Sequence, residues 1–130
     1  IVVNPISRKI IRPAAFPWQM PQVTDRVVSA LPIGKIFGEN AKKIGEHLVK
    51  IPELDANGHV YNANYGDIAV EFLTTQMYEQ DVENFRINFV NEAKLGDLID
   101  IYLAEDEGKA IVFGKCGEKI CFETEFIWKK

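Results

Sequence analysis

The stretch 82–128 constrains the fold most, because it reads as four strands in succession whose connections are too short for anything but antiparallel pairing. Aromatic and β-branched residues recur through 82–90, where Phe85, Ile87 and Phe89 share one side, and again through 98–104, 109–115 and 119–128. Gly96, the E-D-E-G run ending at Gly108 and the C-G-E run around Gly117 supply the turns. Such a sheet has an apolar face that must be covered. The preceding segment 60–77 offers the cover, since Tyr65, Ile68, Ala69, Phe72, Leu73 and Met77 recur at spacings of three and four and form one helical face. A further strand is predicted over 43–51, where Pro52 closes it by having no amide to donate. The predicted class is α+β, an antiparallel sheet wrapped around one long central helix.

The first part of the chain has a different texture. Residues 1–20 carry Pro5, Pro13 and Pro17 together with Arg8, Lys9 and Arg12, and read as a short strand followed by a linker. Phe16 and Trp18 in this segment are candidates to pack on a neighbouring domain or on this one. Pro21 with Val23, Val27 and Leu31 at spacing four, ahead of Pro32, predicts a short helix. The chain opens on Ile1 rather than Met, which suggests that something upstream has been removed.

With 130 residues, one domain is the default. Acidic residues outnumber basic ones, 19 to 15, and the net charge of -4 disfavours nucleic acid as a partner. No stretch approaches the roughly 18 apolar residues of a membrane span, and no signal peptide heads the chain, so a cytoplasmic protein is expected. Cys116 and Cys121 lack metal-site spacing and are read as reduced residues near a hairpin; no metal and no cofactor is expected. Trp128, beside Lys129 and Lys130, reads as the end of an edge strand, and His47 in the first strand as an ordinary solvated or capping residue.

The chemistry is concentrated in the turn E-L-D-A-N-G-H. Asp55, Asn57 and His59 alternate there, so in extended backbone their side chains lie on one side and converge. The helix beyond presents amides that have no intrahelical partner, at the positive end of its dipole. Hydrolysis at a carbonyl needs a base for water, a group to hold that base, and donors for the oxyanion, and one turn holds candidates for all three. Asp, Asn and Gly are also ordinary turn formers and caps, so D-A-N-G ahead of a helix is commonplace on its own.

The wider string D-A-N-G-H-V-Y-N-A-N-Y, residues 55–65, resembles the D-x-N-x-H-V-N-N-x-x-Y signature of acyl-ACP thioesterases. Members of that family are double hotdog proteins that release fatty acid from acyl carrier protein, with the signature in the C-terminal hotdog. The order strand, long helix, four strands agrees with a hotdog fold. By resemblance Asp55, Asn57 and His59 take catalytic positions, and Glu92 in F-V-N-E-A-K takes that of a further acidic residue. Ala93 stands where plant members have cysteine, which excludes a thiolate nucleophile there, and Tyr61 stands where the family usually has asparagine, leaving Asn62 to cover that pattern. The implied mechanism has Asp55 or Glu92 with His59 activating water, Asn57 orienting the water or the carbonyl, and the amides of Val60, Tyr61 and Asn62 holding the oxyanion.

V-V-N-P-I-S-R-K-I-I-R-P looks like the last strand of a first hotdog and its linker, a match resting on Asn4, Ser7, Arg8 and Lys9. The implied division is 1–20 as the end of a preceding hotdog and linker, and 21–130 as the thioesterase hotdog. Acyl carrier protein is the implied partner, with Arg8, Lys9, Arg12, Lys42 and Lys43 as cations for it to meet, and a second hotdog or a homodimer completes the site. Two other readings compete: a hotdog hydratase, whose D-x-N-P-x-H pattern differs in the proline and in the position of histidine, and a hotdog that binds acyl thioesters without turning them over.

Overall fold

The computed structural model describes residues 3–4, 6–15, 19, 34–36 and 38–130. The chain divides into two compact units, Ile1–Pro32 and Ile33–Lys130. In the first, Val3 bridges Ile10 across a turn organised by Asn4, whose side-chain oxygen accepts the amides of Ile6 and Ser7 at 3.0 and 2.8 Å. A 3-10 turn follows at Pro13–Ala15. The helix predicted over 21–31, and Phe16 and Trp18, lie outside the described residues.

The second unit is a five-stranded antiparallel sheet with β1 (Lys42–Leu48), β2 (Val82–Phe89), β3 (Leu98–Asp106), β4 (Lys109–Cys116) and β5 (Lys119–Trp128) in the order β1-β3-β4-β5-β2. Between β1 and β2 come a 3-10 turn at Ile51–Glu53 and two helices, α1 (Asn62–Glu71) and α2 (Thr75–Tyr78). The three consecutive strands β3, β4 and β5 pair as hairpins; Cys116 faces Lys119 across a tight turn in which Gly117 takes a positive φ of 58° that a side chain would resist. Edge strand β2 leaves Val82, Phe85 and Phe89 exposed.

The helix lies against the sheet through Tyr65, Ile68 and Ala69, which are buried with Ile99, Ile101, Val112, Phe122 and Phe126. Period-2 alternation puts 99 and 101 on the same face, and the Tyr65 ring rests on Phe122 with centroids 5.3 Å apart. The sheet makes room for this with a missing side chain: a Cβ at Gly114, opposite Phe122 in the register, would strike the Phe122 ring and Ile99. Thr124, fully buried, is satisfied by donating its hydroxyl to the Val112 carbonyl at 2.8 Å.

Three expectations are corrected. The helix predicted as one piece over 60–77 is broken, because Thr74 in extended backbone accepts the Met77 amide at 3.2 Å and starts α2. A hydroxyl that bonds nearby backbone competes with the helix there. The break lets Phe72 turn onto β1 at Gly45, where a Cβ would strike its ring. Trp128 does not end an edge strand: β5 lies between β4 and β2, and Trp128 is 5% exposed and stacked on Phe126. His47 is not solvated; its ring, 17% exposed, sits between Glu53 at 2.5 Å and Glu71 at 3.3 Å. Among the described residues no helix is long and apolar enough to cross a membrane.

Gly114→Ala tests the packing of the sheet face on which the helix rests. It should lower stability by about 1–3 kcal/mol through overpacking, seen as a lower denaturant midpoint with an unchanged slope. An unchanged midpoint would show that Phe122 and Ile99 have room to yield.

Candidate active site

Residues 54–60 form a closed loop rather than an extended run. Leu54 bridges Val60, the Asp55 amide donates to the His59 carbonyl at 2.8 Å, and the Gly58 amide donates to the Asp55 carbonyl at 3.0 Å. Gly58 takes φ 77°, the left-handed conformation that closes the loop. The Asp55 carboxylate fills the centre, accepting the amides of Asn57 at 2.8 Å and His59 at 3.1 Å on one oxygen. Acceptance of the His59 amide is the main reason its carboxyl is held below the ordinary 3.8, with the Asn57 amide and side chain adding to it against the cost of desolvation. Aspartate side chains bond backbone two residues on as readily as they extend, and here the local bond wins.

The loop delivers His59 into a cleft. The imidazole is 14% exposed, and its Nε2 lies 3.2 Å from Glu92 Oε2 on the segment after β2. The backbones on which the two side chains stand are joined: Val60 donates to the Ala93 carbonyl at 2.9 Å, and His59 bridges Lys94. On the far side the amides of Val90 and Asn91 donate to the Cys121 carbonyl at 2.8 and 3.2 Å, fixing the segment to β5. Asp55, His59, Asn62, Tyr65, Phe89 and Glu92 are among the residues lining a cleft of about 230 Å³.

The structure thus brings Asp55, His59 and Glu92 to one cleft and leaves Asn57 at the exposed tip of the loop, its side-chain amide 3.5 Å from Asp55 and outside the cleft lining. The oxyanion donors expected at Val60 and Tyr61 need correction. Val60 gives its amide to Ala93 and Tyr61 gives its amide to the Glu53 carbonyl at 2.8 Å, so both protons are spent on backbone. Asn62 is the first residue of α1, where an amide has no intrahelical partner, and it lines the cleft.

His47 supports the other side of this arrangement. It grips Glu53, whose carbonyl takes both the Tyr61 amide and the Asn64 side-chain amide at 2.9 Å and so sets where α1 begins. Ala93 is fully buried. Cys116 and Cys121 are free, their sulfurs 2.9 Å apart, and neither lines the cleft. Burial pushes the Cys116 thiol up to about 12, which leaves it protonated. Among the described residues no group of three or more His, Cys, Asp or Glu is arranged to hold a metal.

Tyr65 is the cleft residue that sequence reasoning assigned only to the helix face; its place as the last residue of the 55–65 motif was the available signal. Its hydroxyl accepts the Ala93 amide at 2.9 Å, and burial pushes its pKa up to about 12.

The loop geometry predicts a titration. With its folded pKa depressed, the Asp55 carboxyl stabilises the loop fully above pH 3.8, and that contribution is lost as pH falls through the lower folded value. NMR of the side-chain carboxyl carbon should find it titrating below 3.8; a midpoint at or above 3.8 would mean that the two amides do not hold it.

Comparison with solved structures gives the fold context. An acyl-ACP thioesterase of Bacteroides thetaiotaomicron superposes with a TM-score of 0.75 at 19% identity, over 81% of this chain and 44% of that one. The 12:0-ACP thioesterase of Umbellularia californica superposes with a TM-score of 0.67 at 16% identity, over 82% of this chain and 41% of that one. The shared architecture is the α+β hotdog, and this chain spans less than half the length of either relative. A search of curated protein sequences finds no match. The family model for the acyl-ACP thioesterase C-terminal domain matches residues 38–125, and on that match the chain belongs to the acyl-ACP thioesterase C-terminal domain family.

Proposed function

We propose that the chain is the hydrolytic half of an enzyme that cleaves the thioester of fatty acyl-ACP, releasing free fatty acid and the carrier thiol. The observation that carries this reading is the His59 and Glu92 pair at 3.2 Å inside a cleft, beside an ionised Asp55 and the start of α1. His59 takes a proton from water while Glu92 holds and compensates the imidazolium that forms. The hydroxide adds to the thioester carbonyl, and the oxygen that gains charge is stabilised at the α1 N-terminus, where Asn62 offers the first amide not already donated to backbone. Collapse breaks the carbon–sulfur bond, and the His59 proton passes to the departing sulfur. Asp55 acts by shaping the loop and by its charge close to His59. In this reading Asn57 orients the water or the substrate carbonyl, which requires the exposed loop tip to turn toward the cleft.

A half-buried thiol at Cys116 that stays protonated and lies outside the cleft lining, and an alanine at position 93, leave water as the nucleophile in this reading. The exposed apolar residues of edge strand β2, Val82, Phe85 and Phe89, suit coverage by a second hotdog, in the same polypeptide or from a second copy, with 1–20 as the junction. Two unbonded thiols fit a reducing compartment, hence the cytoplasm, and a place in fatty acid biosynthesis follows from the proposed substrate.

The test uses the full-length protein with acyl-ACP. His59→Ala and Glu92→Gln should each lower kcat on the order of 10²- to 10⁴-fold, as removal of a proton-transfer group does, while acyl-ACP still binds. Undiminished hydrolysis by His59→Ala would remove the reading, and stable acyl-ACP binding without product in the unaltered protein would favour a non-catalytic binder.

A further inference from the structure

Glu92 is only weakly constrained by its own side-chain contacts. Its side chain is 63% exposed, so its distance from His59 is set by the backbone beneath it rather than by packing around it. That backbone is fixed at Ala93, which is fully buried and makes two hydrogen bonds of 2.9 Å: its carbonyl accepts the Val60 amide, and its amide donates to the Tyr65 hydroxyl. The first bond joins the residue after Glu92 to the residue after His59. The second joins it to α1, where the Tyr65 ring rests against Phe89 and Phe122, with centroids 6.0 and 5.3 Å away.

A phenylalanine in place of Tyr65 would pack against those rings equally well. The hydroxyl supplies one thing that a ring cannot, an acceptor for an amide that has no access to water. Without it the Ala93 amide is buried and unpaired, and the segment relieves this by shifting outward toward solvent. Glu92, one residue earlier and already facing solvent, moves with it.

From this geometry we propose that Tyr65 is a positioning residue: its hydroxyl, by accepting the Ala93 amide, holds Glu92 at hydrogen-bonding distance from His59. The inference rests on the hydrolytic reading of the cleft. It assigns to Tyr65 an effect on turnover that acts through Glu92 and is absent when Glu92 can no longer serve as a carboxylate.

The experiment is a double-mutant cycle in the full-length protein with acyl-ACP as substrate, measuring kcat and KM for Tyr65→Phe, Glu92→Gln and the double variant. Tyr65→Phe should lower kcat on the order of 10- to 100-fold, as small misplacements of a reacting group do, with little change in KM. In the Glu92→Gln background the same substitution should cost almost nothing further. Hydrogen exchange at the Ala93 amide should be faster in Tyr65→Phe than in the unaltered protein. Equal losses in both backgrounds, a loss confined to KM, or full activity in Tyr65→Phe would each overturn the inference and leave the hydrolytic reading standing, provided Glu92→Gln is itself impaired. Full activity in Glu92→Gln would overturn both. If Tyr65→Phe does not fold, 3,5-difluorotyrosine in place of Tyr65 keeps the ring and weakens the oxygen as an acceptor; it should reproduce the loss of kcat when Glu92 is intact and cause no further loss in the Glu92→Gln background.

Discussion

The packing of α1 onto the sheet through Tyr65, Ile68 and Ala69 is the contact on which the rest of the molecule depends. A helix of ten residues is too short to hold its shape unaided. Burial against Ile99, Ile101, Val112 and Phe122 supplies what propensity does not, and the side chain omitted at Gly114 leaves room for the Phe122 ring and Ile99 on the face the helix covers. Because the start of α1 is also a wall of the cleft, the core and the site are fixed by the same contact. The two histidines illustrate this economy. His47 is held between two carboxylates, Glu53 before α1 and Glu71 at its end, whereas His59 faces the cleft with Glu92 against its ring, the Asp55 carboxylate in the same loop and the start of α1 nearby.

The strands were legible because period-2 alternation and glycine turns are local signals, and the observed ends of β2, β3, β4 and β5 lie within two residues of those read from 82–128. The break after α1 was not legible, since the apolar spacing continues through Phe72, Leu73 and Met77 while the hydroxyl of Thr74 decides the backbone. Trp128 and His47 were misjudged for a different reason. Whether a strand is at an edge, and whether a histidine has carboxylates around it, depends on pairings between β5 and β2 or between β1 and the 51–53 turn that no local pattern encodes.

The site divides in the same way. Asp55, His59 and Glu92 could be singled out from their types and the motif that contains them, and they do meet at one cleft. Their local geometry could not, because extended backbone and a closed loop are both open to D-A-N-G and the carboxylate's two short-range amide bonds tip the balance. Nor could the fate of the Val60 and Tyr61 amides be read from the sequence: their acceptors are Ala93, far along the chain, and Glu53, across the loop. An amide at a helix start is available only once its competitors in space are known.

The loop at 54–60 is a buckle of fixed length. Both ends are pinned by the bridge between Leu54 and Val60, the interior is filled by its own aspartate, and its exit pairs His59 with Lys94. One residue more or fewer would shift that pairing by a single step and turn the imidazole to the opposite side of the strand. Natural variation in chains built this way should therefore be found in the side chain at Ala56, and not in the number of residues between Asp55 and His59.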